Sequence, residues 1–204
     1  MITLASISEG ARVAHAKELL GANYFGSEVE KTEGKKSLNH LIFKKLKSKL
    51  SLQWKGRAQS IASALIIESS KYNFDPVFVL AVIETESKFN PLTLGLHGEI
   101  GLMQIKPDTA KWIAHKFKIP WKGEQDLKNP EMNIKIGSAY MSYLRAKFET
   151  KPKKYVSAYN MGPKALRRML SQNLNPNEYN SIVMKNYSHF YSSLTAHTAP
   201  IEIL

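Results

Sequence analysis

The residues best placed to do chemistry in this chain stand at the end of its most apolar stretch. Val77-Phe78-Val79-Leu80-Ala81-Val82-Ile83 runs straight into Glu84-Thr85-Glu86. A carboxylate at the exit of such a stretch lies against the core, where desolvation disfavours the charged form and raises the pKa. A carboxyl group still protonated near neutrality is a general acid, able to give its proton to a leaving glycosidic oxygen. On a helix, Glu84 and Glu86 point about 200° apart, so only one of them faces a given site. Glu86 is the candidate acid and Glu84 a solvated or structural carboxylate. Many helices end in a solvated glutamate, so this feature by itself leaves both readings of Glu86 open. Glu99, in a glycine-punctuated segment shortly after, is a candidate second carboxylate, with a solvated loop acid as its plain alternative. His97 has no partner at ligand spacing and reads as a surface histidine. Cysteine is absent, which excludes disulfides and thiolate chemistry. No metal site and no cofactor are expected.

Helices must position these groups. Asp75-Pro76 supplies an N-cap followed by proline at the first helical position, so the apolar run is read as a central buried helix. A buried strand competes, but the cap and the polar continuation to Lys88 favour helix. Asn90-Pro91 ends it, and Gly95, Gly98 and Gly101 follow, with room for a small hairpin. Ala58, Ile61, Ala62, Leu65 and Ile66 give an amphipathic face upstream. Further helices are expected from near Asp108 to before Pro120, from Asn129-Pro130 onward, over Tyr155 to Tyr159 up to Gly162-Pro163, and over Tyr179 to Leu194. No alternation of strands and no internal repeat is evident. The class is all-α. Trp54, Trp112 and Trp121 are candidates for stacking on sugars, though tryptophan on a helix face is more often core.

The chain holds 29 Lys and Arg against 17 Asp and Glu, a formal charge of +12. Such a surplus suits a polyanion, whether nucleic acid, anionic lipid or acidic wall, without choosing among them. Lys35 to Arg57 holds eight basic residues and no acid. Leu41, Ile42, Leu46 and Leu50 recur among those lysines near helical spacing, which predicts a basic amphipathic helix packed on the domain with a solvated lysine face; an anionic-surface anchor is the other reading. Gly21 to Gly34 reads as loop. The expected division is a basic N-terminal extension over 1–55, a catalytic domain over 56–195 and a tail over 196–204. No apolar run approaches the roughly 20 residues needed to span a bilayer, and no secretory leader opens the chain. A monomer is expected.

Glu86-Ser87-x-Phe89-Asn90-Pro91, Gly98-x-x-Gly101-Leu102-Met103-Gln104 and Pro107-x-Thr109-Ala110 come in that order, followed by Asn129-Pro130, Asn133-Ile134, Gly137 and Ala158-Tyr159-Asn160-x-Gly162-Pro163. Each block is a weak string, but their order and spacing over roughly residues 56–190 resemble the catalytic domain of the soluble lytic transglycosylases. That resemblance implies a lysozyme-like helical fold and cleavage of the β-1,4 bond between N-acetylmuramic acid and N-acetylglucosamine in peptidoglycan. It makes Glu86 the single catalytic acid and base, and Met103, Gln104, Tyr159, Asn160 and Tyr187 substrate-groove residues. Met103 as core filler and Tyr159 as a packed aromatic are the plain alternatives. It also implies peptidoglycan strands as partner and a periplasmic or secreted location after loss of a leader. No nucleic-acid recognition motif accompanies the charge.

The chain departs from that pattern at points that bear on mechanism. Gly95 stands where the family usually has a serine thought to contact the 2-acetamido group, and Gly98 is followed by Glu99 rather than a small residue. The late glutamate-threonine-arginine-x-tyrosine block reads Val183-Met184-Lys185-Asn186-Tyr187, keeping only the tyrosine. A transglycosylase closes the muramic 6-hydroxyl onto the anomeric carbon. An inverting hydrolase instead needs a second carboxyl roughly 6.5–9.5 Å from the first, and Glu99 is the candidate. A carboxylate there also suits the 2-ammonium of de-N-acetylated glycan. A catalytically silent wall-binding module is the alternative reading of the departures.

Overall fold

A computed structural model describes residues 9–32 and 38–195. Lys35 and Lys36 of the basic stretch, the chain start and the tail 196–204 lie outside the described residues. What is described is helical, with no strand beyond isolated bridges, as the patterning requires.

Helix α6 (Pro76–Ser87) is the axis of the molecule. Every residue from Pro76 to Ile83 is buried, as an all-round apolar helix must be. Asp75 caps it, its Oδ1 accepting from the Val77 amide at 2.9 Å. Helices α5 (Ala58–Lys71) and α11 (Glu178–Thr195) flank it, and α8 (Pro130–Lys147) packs on α5 and on α9 (Pro152–Met161). Helix α7 (Pro107–Phe117) lies on α8. Proline at the first turn starts α6, α7 and α8 where the sequence signals it, and α9 starts at Pro152, earlier than the expected Tyr155.

The N-terminal segment is more structured than its loop-like composition suggests. It forms α1 (Glu9–Leu20), a 3₁₀ turn at Gly21–Tyr24, the short α2 (Glu28–Lys31), the basic helix α3 (Leu38–Lys49) and the single turn α4 (Leu52–Lys55). Gly21 to Lys31 is therefore not simply loop: Tyr24 and Val29 are drawn into the core and order it. Helix α3 packs on α5 through buried Ile42 and Leu46 while its lysines stay outside, the packed arrangement the spacing predicts. Helix α10 (Pro163–Ser171) has no counterpart in the reading above, although Pro163 and the spacing of Leu166, Met169 and Leu170 announce it.

One polar network runs through the centre. Asp75 Oδ2 accepts from Tyr187 at 2.6 Å and from Tyr191 at 2.5 Å. The buried Arg12 guanidinium donates to the Tyr191 hydroxyl at 2.8 Å. His15 Nδ1 accepts the Asp75 amide at 2.9 Å, which leaves its Nε2 as the N–H facing Tyr155, 3.2 Å away. Burial holds His15 neutral, well below the usual histidine range. Tyr187 corrects the groove assignment: it is fully buried and spent on Asp75, one end of α6 away from Glu86. Helix α11 turns that face inward to close the core, so its phenol has no route to a saccharide.

Candidate active site

Glu86 stands in the last turn of α6, just before the chain reverses. Lys88 and Phe89 both take positive φ, 52° and 64°. Backbone of that kind costs of order 1–3 kcal/mol per residue and persists only where packing enforces it. Here Phe89 is buried, its ring edge-on to Phe190 of α11 at 6.3 Å, and this anchors the reversal. The chain then enters the glycine-rich segment, which forms a small hairpin held by isolated antiparallel bridges between Leu94 and Ile100 and between Ile100 and Ile105.

Asn133 latches that hairpin to α8. Its Oδ1 accepts the Met103 amide at 2.8 Å, and its Nδ2 donates to the Ile100 and Leu127 carbonyls at 2.8 and 2.9 Å. A methyl on Gly101 would come within 2.3 Å of Asn133 Nδ2, and one on Gly137 within 2.5 Å of Met103 Sδ. Both glycines make room, one for the amide latch and one for Met103. Met103 is thus a core side chain under the hairpin, not an exposed groove residue. Its carbonyl accepts from Tyr159 at 2.8 Å, so buried Tyr159 also supports the hairpin from α9. Gln104, itself at positive φ (48°), donates through Nε2 to the Thr93 and Gly101 carbonyls at 3.0 and 2.9 Å.

The acid has a partner that the sequence did not single out. The Tyr179 hydroxyl, from the first turn of α11, donates to Glu86 Oε1. Burial pushes Glu86 up to about 7; the Tyr179 hydrogen bond works against this, and the negative charge of Glu99 adds to it. Burial also lifts Tyr159 and Tyr179 well above the usual phenol range, with Glu86 the next contributor, so both stay protonated donors. Tyr179 also lines, with exposed Asn160, Met161, Met169, Glu178 and Ile182, a cavity of about 640 Å³, large enough for a ligand of a few rings; Glu86 and the hairpin do not line it.

Gly95 and Glu99 form one unit. A methyl on Gly95 would meet Glu99 Oε2 at 2.3 Å and Gln104 Oε1 at 2.8 Å, so the Glu99 carboxylate occupies the space a side chain at 95 would take. Glu99 Oε2 accepts the His97 amide at 3.0 Å, and Oε1 lies 3.3 Å from Lys106 Nζ. Partial burial would raise its pKa, but the backbone amides of Glu99 and His97, with Lys106, hold it below the usual carboxylate range. The site therefore contains two carboxyls driven apart, Glu86 toward the acid form and Glu99 toward the anion. Glu84 points to the other side of α6, with Oε1 3.6 Å from Lys49 Nζ. His97 is exposed, and no group of three or more side chains that could hold a metal occurs among the described residues. Trp112 lies edge-on to Tyr143 at 4.8 Å and Trp54 under Arg57, and Trp54 and Trp121 are half-buried against the core.

Residues 63–182 match the family model described as the transglycosylase SLT domain. The chain is 31% identical over 159 residues to an endo-type membrane-bound lytic murein transglycosylase A of Cronobacter sakazakii, an alignment covering 68% of this chain and 74% of that protein. It is 37% identical over 94 residues to a soluble lytic murein transglycosylase of Salmonella typhimurium, covering 46% of this chain but only 15% of that much longer protein. Among solved structures, an inactive mutant of the lytic transglycosylase Slt from Pseudomonas aeruginosa superposes with a TM-score of 0.59 at 21% identity, over 98% of this chain and 39% of that one. The last is a likeness of fold.

Proposed function

The chain belongs to the transglycosylase SLT domain family, and on that footing we propose that it cleaves the β-1,4 bond between N-acetylmuramic acid and N-acetylglucosamine as a lytic transglycosylase. The observation that carries this is Glu86: a half-buried carboxyl at the end of the apolar helix, held by the Tyr179 hydroxyl and raised to about 7. Glu86 gives its proton to the glycosidic oxygen as the bond to the anomeric carbon breaks. The resulting carboxylate takes the proton of the muramic 6-hydroxyl as that oxygen closes onto the anomeric carbon. One group thus serves both steps and ends as it began. Tyr179 holds the carboxyl in place, Asn160 lines the cavity that Tyr179 borders, and Gln104, Met103 and Tyr159 fix the hairpin that follows the Glu86 turn. On this reading the enzyme acts as a monomer and, because its substrate is the wall, outside the cytoplasmic membrane. Among the described residues no helix is long and apolar enough to cross one.

Purified peptidoglycan and mass analysis of the products test the proposal. 1,6-Anhydromuramic ends support it. Products one water heavier mean that water, held by ionised Glu99, resolves the reaction instead. No soluble product at all means a silent wall-binding module. The finer proposal on substrate also rests on Glu99: its carboxylate, standing in the place of a side chain at 95, favours partly de-N-acetylated glycan by pairing with the 2-ammonium, in competition with Lys106. A charge-assisted bond of about 1.5–3 kcal/mol corresponds to roughly ten- to hundredfold in rate when made in the transition state. Faster digestion of the fully acetylated of two matched walls sinks it, as does a preference unchanged in Glu99→Ala.

A further inference from the structure

The lysines of α3 end against the catalytic helix. Lys49 reaches Glu84, two residues before Glu86. Lys45 lies over the Phe190 ring, 5.2 Å from its centroid; burial lowers its pKa, as does neighbouring Lys49, while Glu84 works in the opposite direction. Lys44, Lys47 and Lys55 are exposed and enter no ion pair among the described residues, and Lys88 is exposed at the end of α6. This is a rigid cationic face, because Ile42, Leu46 and Leu50 bury the helix that carries it. Glu84 and Glu86 leave α6 in nearly opposite directions, so the face lies behind the catalytic groove and away from the scissile saccharide.

We propose that this face docks the enzyme on an intact wall by binding carboxylates of the peptide stems on strands neighbouring the one being cut. The inference rests on the wall-cleaving reading for its choice of polyanion. A lipid surface fits less well: a helix lying in a bilayer interface turns its apolar face to the acyl chains, and α3 has spent that face on the core, leaving Leu52 as the exposed apolar residue beside it. Single-stranded nucleic acid calls for exposed aromatic platforms, whereas Phe43 and Trp54 are half-buried.

The test compares the whole chain with a Lys44→Glu/Lys47→Glu/Lys55→Glu variant, each site exposed and outside the catalytic machinery. Pull-down on purified sacculi in low salt should weaken about tenfold or more, and the two proteins should converge as salt shortens the Debye length to a few ångströms. Turnover of short soluble glycan fragments should be unchanged, which also reports that the variant is folded; should it fall, the Lys→Gln triple variant replaces it. Glycan stripped of peptides by an amidase should bind both proteins equally weakly. Equal binding of the two proteins to intact sacculi overturns the proposal. An equal loss on stripped glycan overturns it too, as does tighter binding to vesicles containing phosphatidylglycerol than to sacculi. A wild-type chain that binds sacculi by charge yet cuts no fragment leaves the docking face standing and removes the cleavage reading instead.

Discussion

At the scale of single residues, the proposed chemistry reduces to how Glu86 keeps its proton. Glu86→Gln preserves the shape but has no proton to give, so wall cleavage should fall by at least about a hundredfold; residual activity above a few per cent in the pure variant removes Glu86 from the role. The same substitution should stabilise the fold above neutral pH. The folded pKa, about 7, lies above that of the unfolded chain, so the wild type loses stability as pH rises between the unfolded and folded values. Glutamine avoids this loss, and Tm values at pH 4 and pH 8 (proposed conditions) should show an advantage only at the higher. For activity, kcat/KM should decline on the alkaline side with a midpoint near 7. Glu99→Gln removes a negative charge and should move that limb to lower pH. Tyr179→Phe removes a bond that favours the anion and should move it to higher pH. Shifts of the opposite sign would contradict the assignment of causes. Glu86 stands out in the sequence because the apolar run before it and the motif around it point to the same residue. Tyr179 does not: the sequence offered Tyr187, two turns further along α11, and only the crossing point of α11 on α6 decides which phenol meets the acid and which meets Asp75. Gly95 and Glu99 read as two separate departures until the space they share was visible.

At the scale of elements, the long periodic helices were readable because burial follows the 3.6-residue repeat and proline marks their starts. The short ones were not: α2 and the 3₁₀ turn are ordered by Val29 and Tyr24 reaching a core that local sequence does not display. The hairpin was anticipated only as room for one, since its register depends on Asn133, some thirty residues downstream in α8. That dependence is testable. Asn133→Ala leaves the buried Met103 amide and the Leu127 carbonyl without their partner, at about 1–3 kcal/mol for each group that water cannot reach, while the Ile100 carbonyl still accepts the Ile105 amide. Tm should fall by several degrees, and kcat should fall with it at temperatures where the variant is still folded, because Gln104 and the Glu99 segment lose their support. Full activity in a destabilised variant would mean that the hairpin holds its shape without the latch.

At the scale of the molecule, the N-terminal segment behaves as part of the catalytic unit rather than as an appendage. The family match begins at residue 63, yet Arg12 and His15, far upstream, close the buried network around Asp75 at the start of the helix that ends in Glu86. Arg12 is ion-paired with Glu9 and reaches Asp75 through the Tyr191 hydroxyl; losing this buried charged donor costs about 1.5–3 kcal/mol, so Arg12→Met should lower Tm by roughly 3–12 °C for a chain of this size. The remedy should be equally specific. Asp75→Asn paired with Arg12→Met removes both charges, and the Tm of the double variant should lie above that of Arg12→Met alone. The asparagine Oδ1 can still accept the Val77 amide, so the cap on α6 survives. Additive losses in that double-mutant cycle would mean that the two charges do not sense each other. A coupling of more than about 1 kcal/mol would instead make α1 a structural member of the domain, with the corollary that cutting the chain down to the matched residues unfolds the site along with the extension.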